Sequence, residues 1–249
     1  MGGACNRPHF SIQSRNSGFR GDIFMSQNGV ARAPDAQLLL ATGCPHCPIV
    51  LEALSQLVKE GRIGGLQVTN VGVHPERAQA LGVRSVPWTQ IGPFVFEGLH
   101  TKAELQQWAE RAGTAEGVAA YFEHLLAGGG LNKAIEMIRG NGAHLHALLM
   151  LLENPDTDIT VRIGIGAIME AMQGTDTLKG IVDELGRLSQ SEEARVRADA
   201  CYYLSLTGSE AARPFIEALL EDADKEVREI AGEAVEDVDG QAASPSRTT

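Results

Sequence analysis

The apolar positions along the chain follow two rhythms, and the change between them falls near Gly130. From Gln37 onward, short apolar runs alternate with stretches of helical spacing. Leu38 to Thr42 reads as a buried strand. Pro48 to Glu60 carries Ile49, Leu51, Leu54, Leu57 and Val58 at helical spacing, with Gly61 as its stop signal. Leu66 to Val71 alternates as a strand, and Pro75 to Leu81 forms a short helix ended by Gly82. Strand, helix and strand in this order predict a crossover unit with parallel pairing. Trp88 to Ile91 and Phe94 to Phe96 are two short strands joined by Gly92-Pro93, so a hairpin completes the sheet. Lys102 to Arg111 supplies a final helix.

Past this point the strand signals vanish. Val118 to Leu126 is helix-like, Gly128-Gly129-Gly130 reads as a flexible break, and the remainder is almost wholly helical. Three segments repeat one pattern, an acidic residue, two spacers and Val-Arg. They are Asp158 to Arg162, Glu193 to Arg197 and Asp224 to Arg228, with their last arginines 35 and 31 residues apart. Each opens a helix with small residues, such as Gly164 and Gly166, Ala198 and Ala200, or Ala231 and Ala234. Each also follows an apolar stretch: Leu148 to Leu152, Ile181 to Leu185 and Phe215 to Leu220. Periods of this size predict stacked helical hairpins. An acid at the start of the second helix suits its dipole, and small residues let hairpins approach closely.

A chain of 249 residues is long enough for two such modules, and a hydrophobic content of 43% allows each a core. The formal charge of -11 argues against a nucleic-acid or anionic-membrane surface. No apolar run approaches the length of about 18 residues that a spanning helix needs. Residues 1–36 are rich in Asn, Ser, Gly and Arg, lack the apolar core of a secretory signal, and read as a disordered tail in which Met25 is an alternative start. Gly2 follows Met1, but Asn6 stands where a myristoylation signal wants Ser or Thr. Residues 239–249 read as a second disordered tail. A soluble, cytoplasmic protein is expected.

Chemistry concentrates in Cys44-Pro45-His46-Cys47. A two-residue spacer lets two cysteines share a disulfide when the first begins a helix and the second sits one turn further in. Unpaired N–H groups and partial positive charge at a helix N-terminus favour a thiolate, the reactive form of cysteine. Pro45 and Pro48 both suit a first helical turn. A CxxC is also half of a zinc site, but the remaining ligands would have to come from isolated residues such as Cys5, His46 or His74, so no metal is expected. His144 and His146, two apart on a predicted helix, point to different faces. Cys201 reads as a small buried side chain, and Cys5 falls in the tail.

The dithiol after a strand, followed downstream by Ser85-Val86-Pro87 before a hairpin, resembles a thioredoxin-fold oxidoreductase over roughly residues 37 to 112. The resemblance implies a cis Pro87 facing the dithiol and a Val86 backbone that pairs with an extended client. Trp88, next to Pro87, either lines the client groove or is a buried aromatic. It departs from ordinary thioredoxins in three ways. Gly43 replaces an aromatic residue, the spacer Pro45-His46 is similar to DsbA-type oxidases, and the strand before the motif lacks a carboxylate. An imidazole at His46 favours the Cys44 thiolate, and the span from thioredoxin-like to DsbA-like potentials, about 150 mV, corresponds to roughly 7 kcal/mol. The helical half resembles HEAT repeats over about residues 142 to 238, which implies a protein-docking array.

Together these readings predict an α/β thioredoxin-like domain (37–113), a connecting helix and glycine linker (114–130) and an all-α HEAT-like array (131–238). The expected function is thiol-disulfide exchange, with Cys44 as nucleophile, Cys47 as resolving thiol, and no cofactor beyond that pair. Protein clients and a separate reductase or oxidant are the expected partners. Two alternatives stay open: a non-catalytic adaptor, and glutathione-linked glutaredoxin-like chemistry with Arg84 as a lone basic candidate.

Overall fold

The computed structural model describes residues 33–242. Most of both expected tails, with Cys5 and Met25, therefore lies outside the described residues. The first half runs β1 (Asp35–Leu40), α1 (Cys47–Lys59), β2 (Gly65–Asn70), α2 (Pro75–Ala80), β3 (Trp88–Ile91), β4 (Phe94–Glu97) and α3 (Lys102–Arg111). The strands form one sheet in the order β2-β1-β3-β4, with β1 and β2 parallel and the other pairs antiparallel. Asp35 and Ala36, read as tail, belong to β1, so the strand before the motif does carry a carboxylate. It sits, exposed, at the end remote from the dithiol.

Strand pairing decides which residues share a face. Ala36 stands opposite Ile91, and both pack with Leu38 against Val50, Leu54 and Leu57 of α1 and Leu105 of α3. Fully burying an aliphatic side chain of this size contributes about 1.5–3 kcal/mol. Phe94, opposite Ile91, and Phe96, opposite Thr89, continue that face and reach Trp108 of α3. Helix α3 starts at a reciprocal cap: Thr101 Oγ1 accepts from the Glu104 N–H, and the Glu104 carboxylate accepts from the Thr101 N–H.

Helix α4 (Ala115–Ala127) does more than connect. Val118, Tyr121, Phe122 and Leu125 lie in one buried cluster that runs from Phe94 and Phe96 to Val238. Because β4 is an edge strand, its outer backbone groups need partners. The Val95 N–H donates to the Tyr121 hydroxyl oxygen (2.9 Å), whose own O–H donates to the Val95 carbonyl (2.6 Å). Lys133 of α5 (Leu131–Gly140) donates to the same carbonyl at 2.9 Å.

The glycine run read as a flexible linker is a compact turn. Gly128 caps α4, Gly129 adopts a φ of 75°, and the Gly130 N–H donates to the Leu125 carbonyl at 2.7 Å. A Cβ on Gly130 would come within 3.1 Å of Leu125, so the close passage suits glycine.

The rest of the chain forms helical hairpins: α6 (Leu145–Glu153) with α7 (Ile159–Ala171), α9 (Val182–Leu188) with α10 (Ala194–Thr207), and α11 (Arg213–Ala218) with α12 (Lys225–Ala242). A short helix, α8 (Asp176–Lys179), precedes the second pair, and α12 extends four residues past the expected boundary at 238. The repeated arginines have a structural task that their spacing did not disclose. Arg162, 5% exposed, donates to the carbonyls of Leu152 and Asn154 at the exit of α6 and reaches Asp199 of the next hairpin at 2.9 Å. Arg197 grips both Asp222 oxygens at 2.8 Å and the carbonyls of Ser191 and Glu192. Arg228 donates to the carbonyls of Asp222 and Ala223. Each guanidinium thus satisfies backbone carbonyls at the end of the first helix of its hairpin or in the loop just past it. Among the described residues no helix is long and apolar enough to cross a membrane.

Candidate functional site

Topology gathers four loops at one edge of the sheet. β1 and β2 run parallel and end there; β3 begins there and β4 ends there, since Trp88 stands opposite both Leu39 and Glu97. The motif loop after β1 therefore meets the Arg84–Pro87 loop that leads into β3.

Helix α1 begins at Cys47, not at Cys44. His46 is its N-cap residue and offers no side-chain cap, Pro48 lies in the first turn, and Pro45 stands outside the helix. Cys44 is half-buried while Cys47 is 3% exposed. The two form a disulfide with their Cα atoms 5.5 Å apart. The Cys47 N–H points at the Cys44 sulfur at 3.2 Å, and the first turn of α1 contains no acidic residue. A negative charge on Cys44 would thus meet a donor and the positive end of a helix. Gly43 has a φ of 82°, a left-handed conformation that disfavours an aromatic residue there.

Opposite the dithiol, Val86-Pro87 is a cis peptide, and the Val86 carbonyl oxygen lies 3.8 Å from the Cys44 sulfur. Two contacts fix this loop to the end of β4: Ser85 Oγ donates to the Glu97 carboxylate, and the Gly98 N–H donates to the Pro87 carbonyl, both at 2.8 Å. On the other side, Asn70 donates to Thr42 at 3.1 Å, tying the end of β2 to the motif loop. Neither Glu97 nor Asn70 stands near the motif in sequence, and no local pattern marks them.

Of the residues expected at the site, Cys44, Cys47, Val86 and Pro87 converge, and Pro45 and His46 form the exposed rim of the motif. Trp88 does not line a groove. It is 5% exposed, because its place in β3 sets it beside Leu39 inside the sheet layer.

The remaining candidates stand apart. His144 packs on Phe122, and burial lowers its pKa; His146 pairs with Glu184 at 3.1 Å. Cys201 is fully buried in α10, and burial pushes its thiol up to about 12.

No curated protein matches the sequence. Two protein-family models do match, one for a thioredoxin domain over residues 35–110 and one for HEAT repeats over residues 145–236, so this chain joins a thioredoxin domain to a HEAT-repeat array.

Proposed function

We propose that the protein is a thiol-disulfide oxidoreductase whose helical array docks the partner on which the dithiol acts. The carrying observation is the asymmetry of the pair: a half-buried Cys44 whose sulfur faces both the Cys47 N–H and the Val86 carbonyl, beside a buried Cys47. In the reducing direction the Cys44 thiolate attacks one sulfur of a client disulfide. The client S–S bond breaks, one client thiolate leaves, and a Cys44–client disulfide forms. The Cys47 thiolate then attacks the Cys44 sulfur, releasing the second client thiolate and restoring the Cys44–Cys47 disulfide. Run backward, the same steps oxidise a dithiol. An extended client segment fits beside Val86 by strand-like backbone pairing.

The docking role draws support from the faces of α7, α10 and α12. Ile159, Ile163 and Tyr202 are exposed there, and a cavity of about 310 Å³ between α10 and α12 is lined by Asp199, Glu233 and Asp237. This surface suits a basic segment with aliphatic anchors. A glutathione-linked alternative would draw on Arg84, exposed two residues before the cis peptide, to receive a carboxylate.

A Cys47→Ser protein should accumulate covalent partners through Cys44, because the resolving step is lost. Adding Glu233→Lys and Asp237→Lys should lower the yield of those adducts while leaving turnover of a small disulfide intact. Wild-type activity on insulin without any trapped adduct would refute the assigned cysteine roles. Faster turnover of a glutathione mixed disulfide than of insulin would favour the glutaredoxin-like alternative.

A further inference from the structure

The Ser85–Glu97 contact lies on a connection between the client loop and the helices beyond the sheet. Ser85 adjoins Val86, whose carbonyl faces the Cys44 sulfur, and it donates to a carboxylate at the end of β4. Two residues back along β4, Val95 is held by the Tyr121 hydroxyl and by the Lys133 ammonium. Lys133 is half-buried; burial lowers its pKa, and the negative charge of Glu97 opposes that shift. The same short strand is therefore gripped from α4 and α5 on one side and grips the cis-proline loop on the other.

We propose that Glu97 is a positioning residue for client recognition, holding the Val86-Pro87 loop through Ser85 and held in turn, through Val95, by Tyr121 and Lys133. Glu97 takes no part in the electron exchange. It fixes the height at which the Val86 carbonyl and N–H meet an extended client. The client class that follows is a protein disulfide within an extended segment, since a small disulfide needs only the Cys44 sulfur. This inference rests on the redox function proposed above.

The test uses the full chain with Ser85→Ala, Glu97→Ala, the double variant and Lys133→Met. Hydrogen exchange at the Gly98 amide, which donates to the Pro87 carbonyl at 2.8 Å, reads the hold on the loop directly and needs no catalytic activity. Turnover of a protein disulfide and of a small aromatic disulfide separates recognition from chemistry. An exposed hydrogen bond to a charged group is worth about 1 kcal/mol, so each single variant should raise the protein-client KM about fivefold and speed Gly98 exchange by a similar factor. Small-disulfide turnover and the unfolding midpoint should hold. The double variant should match the single ones, because both remove one contact, and Ser85→Thr should restore wild-type values. Lys133→Met should move Gly98 exchange in the same direction.

Unchanged Gly98 exchange in the Ser85 and Glu97 variants overturns the proposal. So does an equal loss on both disulfides, or additive effects in the double variant. Unchanged exchange in Lys133→Met overturns the link to the helices. A wild-type protein inert toward both disulfides would sink the redox function instead, and the exchange measurements would still decide the role of Glu97.

Discussion

Cys44 is half-buried at the mouth of α1, whereas the third described cysteine, Cys201, is sealed in α10. With its thiol pushed up to about 12 by burial, Cys201 stays protonated at pH 8. The fold favours the protonated thiol. Its contribution is therefore complete below the unfolded value near pH 8.5 and lost as pH rises toward about 12. In the reduced native protein, an alkylating reagent at pH 8 should modify Cys44 and leave Cys201 untouched until denaturant is added, as peptide mapping would show. Comparable labelling of both would contradict the burial. The Cys44–Cys47 disulfide was legible in the two-residue spacing, and the cis Pro87 in the resemblance that the motif and the element order carry. Whether Trp88 lines the groove or is buried was not legible, because burial depends on which face of β3 it occupies, and that is set by the register against Leu39. The start of α1 was ambiguous for a different reason: Pro45 and Pro48 satisfy a first helical turn equally well, and only the backbone decides between them. Ser85 and Glu97 meet through the hairpin, a pairing that leaves no local mark.

Elements with their own start and stop signals were readable almost to the residue. Lys102–Arg111 is one, helped by the Thr101 cap, and the crossover from β1 to β2 is another. The glycine run was not, since glycine reports only that unusual backbone angles are permitted. Whether they are used depends on what packs nearby, here Leu125 against Gly130. Equally hidden was the covering of the β4 edge. Tyr121 satisfies both backbone groups of Val95 and is itself largely buried, with its pKa raised by that burial against the opposing pull of the Val95 contact. Tyr121→Phe keeps the ring among Phe94, Phe96 and Trp108 but removes the hydroxyl. The Val95 N–H then loses its partner, which costs about 1–3 kcal/mol. Urea unfolding should show that loss, and the Val95 amide should exchange faster than in wild type. A midpoint identical to wild type would mean that water replaces the hydroxyl without penalty.

At the scale of the whole molecule, the two family matches meet in a shared interior. One buried cluster extends from Phe94 and Phe96 of the sheet, through Tyr121 and Phe122 of α4, to Val227 and Val238 of α12. A boundary drawn from sequence separates a sheet domain from a helical array, yet the apolar contacts cross it without a gap. Cooperativity should follow the contacts. The two tryptophans, Trp88 and Trp108, both lie in the first half, so their fluorescence reports that half, whereas the far-ultraviolet dichroism is dominated by the helices of the second. A lesion deep in the array distinguishes one unit from two. Gly186 of α9 faces the ring of Phe215, and any Cβ there would fall 2.6 Å from it. Gly186→Val therefore forces the ring or the helix to move, with an overpacking penalty of about 1–3 kcal/mol. If the core is continuous, the fluorescence and dichroism midpoints should fall together in urea, as a two-state transition requires. A fluorescence midpoint that stays at its wild-type value while the dichroism shifts would show that the thioredoxin domain unfolds on its own. The rigid link from array to client loop would then be lost.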